Sequence, residues 1–251
     1  GKNVLITGSS KGIGKAIAHQ MALQGAKVTI SSRKEDVCEE VAKEINDSLP
    51  AGCAGGAVVI PCNINSKESL QNLVDQTHEK LGQIDVLVCN AALNPYYGPS
   101  SGIPDDAFDK IMSANIKSNH WLCNMVLPEM KTRKDGAIII VSSIGGLRGS
   151  SVLGAYSISK AADMQLVRNL AVEHGADNIR INAIAPGLIK TDFARALWED
   201  PDTLKRATSR SPLQRIGLPE EIAGAAILMA SKAGTFLTGQ TITIDGGQTI
   251  T

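Results

Sequence analysis

Net charge, long apolar runs and paired cysteines are all missing from this chain of 251 residues. Lys and Arg total 25 and Asp and Glu total 25, so the formal charge at pH 7 is zero. With a pI of about 7.1, there is no long-range field to draw the chain onto nucleic acid or an anionic bilayer, and neither partner is expected. No apolar stretch approaches the roughly 18 residues a membrane-crossing helix needs, and the first residues read as a strand rather than a signal peptide. The five cysteines, Cys38, Cys53, Cys62, Cys89 and Cys123, are odd in number and include no Cys-x-x-Cys pair. No His stands at metal-ligand spacing, so neither a disulfide framework nor a metal is expected. Cys89 falls inside an apolar run and reads as a small buried hydrophobe. Together these absences predict a cytoplasmic protein.

What is present is a hydrophobic content of 43%, enough for a sizeable core. Apolar runs rich in β-branched residues recur at 3–6, 27–30, 57–60, 85–89, 137–141, 179–184 and 241–244. Segments of helical length and period separate them, at 12–24, 34–48, 66–81, 104–131, 155–173 and 219–229. Strands apolar on both faces are what a parallel sheet requires, because crossover helices cover each side. The alternation predicts an α/β fold: a single doubly wound (Rossmann) domain over 1–251, with a seven-stranded parallel sheet flanked by helices on both faces. The Gly/Ser/Pro clusters at 50–56 and 94–104 are short enough to be loops.

The first strand runs into Thr7-Gly8-Ser9-Ser10-Lys11-Gly12-Ile13-Gly14 and then an Ala-rich helix start. Gly8 permits a tight turn, Gly12 lets backbone approach a pyrophosphate, and Gly14 allows helix and sheet to pack closely. The unpaired N–H groups and partial positive charge of the helix N-terminus favour an anion. Glycines at 8, 12 and 14 depart from the GxGxxG spacing, so the turn alone is also compatible with a purely structural role; its position after the first strand favours a dinucleotide. At the end of the second strand, where NAD-binding sheets carry an acid, the chain reads Ile30-Ser31-Ser32-Arg33. With the carboxylate missing, Arg33 and Lys11 supply cations and Ser10 and Ser32 hydroxyl donors for a 2′-phosphate, which favours NADP(H) over NAD(H).

Ser143 follows the fifth strand, Tyr156 lies 13 residues later, and Lys160 four residues beyond that. Positions i and i+4 share a helix face, so the Lys160 ammonium can lie near the Tyr156 phenol and favour its ionised form. A phenol with a reference pKa of about 10 could then act as an acid or base nearer neutrality. Tyr-x-x-x-Lys is a common accidental pair by itself. Here it accompanies the glycine turn, a serine at a strand end where open α/β sheets bind ligands, and Asn115 in a predicted helix.

With these residues, plus Asn90-Ala91-Ala92 and Pro186-Gly187-Leu188-Ile189-Lys190-Thr191, the chain resembles the short-chain dehydrogenase/reductase family along nearly its whole length. The resemblance implies a catalytic set of Asn115, Ser143, Tyr156 and Lys160. Tyr156 would donate a proton to a carbonyl oxygen as the nicotinamide gives hydride, and Ser143 would hydrogen-bond that oxygen. Lys160 would tune Tyr156 and hold the nicotinamide ribose, and Asn115 would position a water that relays protons to Lys160. It further implies cofactor contacts from Asn90 and Ala91 at the adenosine ribose and from Pro186, Gly187, Ile189 and Thr191 at the nicotinamide. The adenine pocket falls on Asn63 and Ile64, where Asn63 replaces the Asp often found in the family.

Substrate-lining candidates lie at 93–97, 144–147 and 188–198, with a substrate loop over about 188–215. They are mostly apolar and aromatic, which suits a hydrophobic ketone, aldehyde or secondary alcohol. Arg148 and Arg195 could anchor an acid but read better as exposed charges, and Trp198 as substrate, core or lid residue. The stretches 90–95 and 185–198 are similar to the family's member 4 branch, which implies NADP(H)-dependent carbonyl reduction. Peroxisomal members of that branch end in a Ser-Lys-Leu-like tripeptide, unlike Thr249-Ile250-Thr251. The resemblance implies a homotetramer through the helices carrying Asn115 and Tyr156 and the C-terminal strand region. Alternatives are an NAD(H)-preferring alcohol dehydrogenase or 3-ketoacyl reductase on this scaffold and, more remotely, a dinucleotide-sensing scaffold without turnover.

Overall fold

A computed structural model describes all 251 residues. Seven strands, β1 (Asn3–Ile6), β2 (Lys27–Ile30), β3 (Gly56–Val59), β4 (Val86–Cys89), β5 (Gly136–Val141), β6 (Ile179–Pro186) and β7 (Thr241–Ile244), form one sheet ordered 3-2-1-4-5-6-7. Every pairing is parallel. The helices are α1 (Gly12–Leu23), α2 (Glu35–Ser48), α3 (Lys67–Leu81), α4 (Asp105–Met112), α5 (Ser118–Arg133), α6 (Gly154–His174), α7 (Pro201–Thr208) and α8 (Glu220–Ala230).

Successive strand residues face opposite sides of the sheet, and both sides are apolar. Val4, Ile6, Val86, Val88, Ile139 and Val141 pack with Ile17, Val41 and Ile222 of α1, α2 and α8. Leu5, Leu87, Cys89, Ile138 and Ile140 pack with Leu70, Leu122 and Val167 of α3, α5 and α6. Burying each strand twice explains the continuous apolar runs in the sequence. The strand order reverses between β1 and β4, so their carboxyl ends part and leave a crevice, the place where such sheets bind ligands.

Two segments differ from the sequence-based expectation. The helix expected over 104–131 is two helices joined by a π turn at Ser113–Lys117, where the Ser118 N–H donates to the Ser113 carbonyl five residues back. The extra residue, carrying Asn115 at its centre, is invisible to a period of 3.6. The loop after β6 contains the short α7, with Pro201 in its first turn and an N-cap in which Asp200 accepts from the Thr203 N–H.

Leu87→Ala, at a fully buried position on central β4, should lower unfolding free energy by about 2–5 kcal/mol in denaturant titrations. Ile158→Ala, at a side chain 55% exposed, should change it by no more than about 0.5 kcal/mol.

Candidate active site

Gly8 and Gly12 have φ of +64° and +54°, a region that side-chain-bearing residues rarely adopt. A Cβ on Gly14 would fall on the Gly8 carbonyl oxygen and the Asn90 amide, so α1 can start this close to β1 only on a glycine. Helix α3 is capped by Ser66, but α1 has no side-chain cap and no acid in its first turn. The Gly12, Ile13 and Gly14 N–H groups find no acceptor in the protein. The turn therefore presents three free donors and a positive helix end, which fits a pyrophosphate. Asn90 braces it, its amide donating to the Thr7 and Gly8 carbonyls at 3.0 Å each. Ala91 packs against Gly8.

At the end of β2 no carboxylate faces the crevice. Ser32 shares a hydrogen bond with Cys38 at 3.1 Å, and exposed Arg33 makes neither hydrogen bond nor ion pair within the chain. Ser10 is buried beside the turn. Asn63 is exposed, its oxygen accepting from the Asn65 N–H at 3.2 Å. Ile189 is buried in the core, and Ile13 and Ile64 pack against it while staying partly exposed. Lys11, assigned to a 2′-phosphate by the sequence reading, is exposed at the turn, with its ammonium 3.7 Å from Asp192 across the crevice mouth. The other wall comes from the end of β6. Gly187 packs against the Asp245 backbone where a Cβ would clash, and the Thr191 methyl faces Gly12. Pro186 closes the strand.

At the ends of β5 and α6 the polar side chains converge. Ser142 donates to the Lys160 carbonyl at 2.7 Å and fixes α6 against β5. Gly146 packs on the Lys160–Ala161 backbone, where a Cβ would clash. Ser143 accepts from the Gly145 N–H at 3.0 Å, leaving its hydroxyl hydrogen free to donate. Tyr156 is half-buried and its phenol makes no hydrogen bond within the protein. Its ring edge and the Ser143 hydroxyl border the same point beside Gly145. The Lys160 ammonium lies 5.8 Å from the Tyr156 ring centroid and is only 1% exposed. It donates to the Val141 carbonyl and to Asp163 Oδ2, both at 3.0 Å. Burial opposes the charge on Lys160, but attraction to Asp163 and Tyr156 outweighs it, and the ammonium is held above the ordinary lysine range.

The π turn brings Asn115 into the same cluster. Its side chain pairs with the Leu93 backbone, accepting at 2.9 Å and donating at 3.1 Å. It also donates to Ser159 at 3.0 Å, which in turn donates to the Tyr156 carbonyl. Asn119 donates to the Asn115 carbonyl at 2.6 Å and to Asp163 Oδ1 at 3.0 Å.

The 188–198 loop covers this cluster. The Phe193 ring lies 5.9 Å from the Tyr156 ring, tilted by 41°. Trp198 anchors the loop through its indole N–H to the Thr191 carbonyl at 2.9 Å. Beside Tyr156, Asn94, Tyr96, Ile111, Leu153 and Ala155 line a narrow cleft that is closed even to a water molecule. A cavity of about 80 Å³ lies away from Tyr156, between Leu188, Leu213 and the Asp245–Gly246 end of β7.

The family profile described as Enoyl-(Acyl carrier protein) reductase matches residues 8–249. The chain is 38% identical to Dehydrogenase/reductase SDR family member 4 of Bos taurus, over 98% of this chain and 86% of that protein. This chain is a member of the short-chain dehydrogenase/reductase family. A short-chain type dehydrogenase/reductase from Mycobacterium ulcerans superposes with a TM-score of 0.94 at 30% identity, covering 99% of this chain and 90% of that one. A 7α-hydroxysteroid dehydrogenase solved with NADH and 7-oxo glycochenodeoxycholic acid has a TM-score of 0.92 at 35% identity, covering 98% and 94%. The family uses a nicotinamide dinucleotide, and the uncapped, glycine-lined turn of this short-chain dehydrogenase/reductase fits one.

The sequence reading passed over Ser142, Ser159, Asn119 and Asp163. The first two look like ordinary small polar residues. Asn119 and Asp163 carried a usable signal, standing one turn beyond Asn115 and Lys160. Asp163 also interrupts an α6 face that continues with Met164, Val167 and Leu170, all buried. A carboxylate is almost never fully buried without a partner.

Gly14→Ala should weaken dinucleotide binding at least about tenfold in fluorescence titrations, because α1 must move off the turn. Gly224→Ala, an exposed α8 position with nothing within 4 Å of a new Cβ, should leave binding unchanged and add about 0.5–1 kcal/mol of stability.

Proposed function

We propose that this short-chain dehydrogenase/reductase is an NADP(H)-dependent carbonyl reductase that converts a hydrophobic ketone or aldehyde to the alcohol, and reversibly oxidises the alcohol. The observation that carries the reading is the Tyr156 phenol, free of protein hydrogen bonds, beside the Lys160 ammonium 5.8 Å from its ring centroid. In the proposed chemistry a bound nicotinamide supplies hydride. Tyr156 gives its phenolic proton to the carbonyl oxygen, and Ser143 donates its free hydroxyl hydrogen to that oxygen as negative charge develops. Lys160, with one donor left after Val141 and Asp163, stabilises the phenolate that remains. Asn115 holds the 93–97 segment and α6 in register and would position a water that relays protons to Lys160. The glycine turn with Gly8, Gly12 and Gly14 would hold the pyrophosphate, and Pro186, Gly187, Ile189 and Thr191 the nicotinamide end. Asn63, Ile64, Asn90 and Ala91 would line the adenosine end.

Apolar and aromatic side chains around Tyr156, chiefly Phe193, Tyr96, Ile111 and Leu153, support a hydrophobic carbonyl, with 188–215 as the substrate loop. NADP(H) is supported by exposed, unpaired Arg33 at an acid-free β2 end. NAD(H) is the second reading. It is favoured by Lys11 being engaged with Asp192 and by the similar hydroxysteroid dehydrogenase having been solved with NADH. We also infer a homotetramer, supported by exposed Val172 on α6 and Phe236 before β7, and a cytoplasmic location. Five free cysteines fit a reducing compartment.

Tyr156→Phe should lower NADPH-dependent turnover of an aromatic-ketone and α-dicarbonyl panel at least about 100-fold while leaving NADPH binding measurable; unchanged turnover would refute the proton donor. Arg33→Ala should weaken NADPH about tenfold and spare NADH, whereas loss of neither would favour the second reading.

A further inference from the structure

Deep in α6, behind the proposed proton donor, Lys160 and Asp163 form an ion pair with Nζ and Oδ2 3.0 Å apart and side-chain exposures of 2% and 0%. Ammonium and carboxylate ions are expensive to take out of water, and an unpaired buried lysine gives up its proton well below its ordinary pKa. The only other contact to Nζ is the Val141 carbonyl, a dipole rather than a charge. The far carboxylate oxygen accepts from Asn119, whose second amide hydrogen goes to the Asn115 carbonyl. The pair is thus anchored to both the π turn and α6 and is almost wholly out of water.

We infer that Asp163 is a positioning residue: it is the counter-ion that keeps Lys160 a cation in this dry site and aims its remaining N–H donor at Tyr156 and the crevice. The inference rests on the reading of Tyr156 and Lys160 given above. No other group around Lys160 can take this role. From α6 come only Tyr156 and Asp163, and from β5 the Val141 carbonyl. From β4 comes Cys89, whose thiol is pushed well above its ordinary range by its hydrogen bond with Cys123 of α5 and by burial, and stays neutral. Burial also raises the Asp163 carboxyl, against which the Lys160 charge and the Asn119 amide pull.

The sign of the consequence follows directly. With its counter-ion in place Lys160 keeps its proton into the alkaline range; without it, the proton leaves at lower pH. Asp163→Asn should therefore shift the alkaline fall-off of kcat by at least about one pH unit toward neutrality, a change of tenfold or more in proton affinity. Asp163→Glu should keep the wild-type fall-off at reduced kcat. An unshifted fall-off in Asp163→Asn, with Tyr156→Phe inactive, overturns the role of Asp163 alone; an active Tyr156→Phe overturns the underlying reading instead. A second measurement needs no activity. Asp163→Leu should lower Tm in the chain with Lys160 and raise it in a Lys160→Met background, where it removes a stranded anion. The same sign in both backgrounds would overturn the pairing.

Discussion

Lys160 carries a full positive charge into a part of the protein that water does not reach. The ammonium is tolerable there because the end of β5 offers a carbonyl, α6 a carboxylate one turn on, and Tyr156 a phenol at the open side. Each requires a particular placement of backbone. Ser142 ties the fifth strand to the Lys160 carbonyl, and Gly146 lets the following turn lie directly on α6. Asn115 and Asn119 lock the π turn to the same helix on one face of the sheet. The buried charge is therefore a geometric constraint on four elements at once, and a displacement of any of them would leave a cation without partners.

The sheet supplies the other half of the arrangement. Its order parts β1 from β4 at their carboxyl ends, and the glycine turn fills that gap with backbone rather than side chain. Asn90, at the end of β4, spends its amide on the turn and so holds the two lips of the crevice in register. Thr191 and Asp192 approach the turn from the far lip. A bound dinucleotide would span from this polar cradle to the Lys160 cluster, and the Phe193 ring closes over the tyrosine at that end.

Much of this was legible in the sequence because it depends on local rules. A strand buried on both faces has to be apolar throughout, so all seven strands could be found from the apolar runs along the chain. The glycine turn and the Tyr-x-x-x-Lys step are short-range patterns whose geometry follows from one turn of backbone. The π turn was not legible: adding one residue to a helix leaves its apolar period nearly unchanged over 104–131, while moving Asn115 into contact with Leu93 and Ser159. The Lys11–Asp192 contact was not legible for a related reason, since the two lie far apart along the chain and only the folded loop brings them within 3.7 Å.

By itself, the order of residues determined the alternation of strand and helix, the parallel sheet, the glycine-lined turn and the i,i+4 pairing of Tyr156 with Lys160, because these are consequences of backbone geometry over a few residues. The tertiary structure alone decided which polar groups lose their water. Asp163 and Asn119 stand at legible positions one turn beyond Lys160 and Asn115, but their burial against each other is fixed only when α5 and α6 meet. Desolvation is a property of the surroundings and is set by segments tens of residues away, so the role of a carboxylate beside Lys160 emerges only when those segments meet.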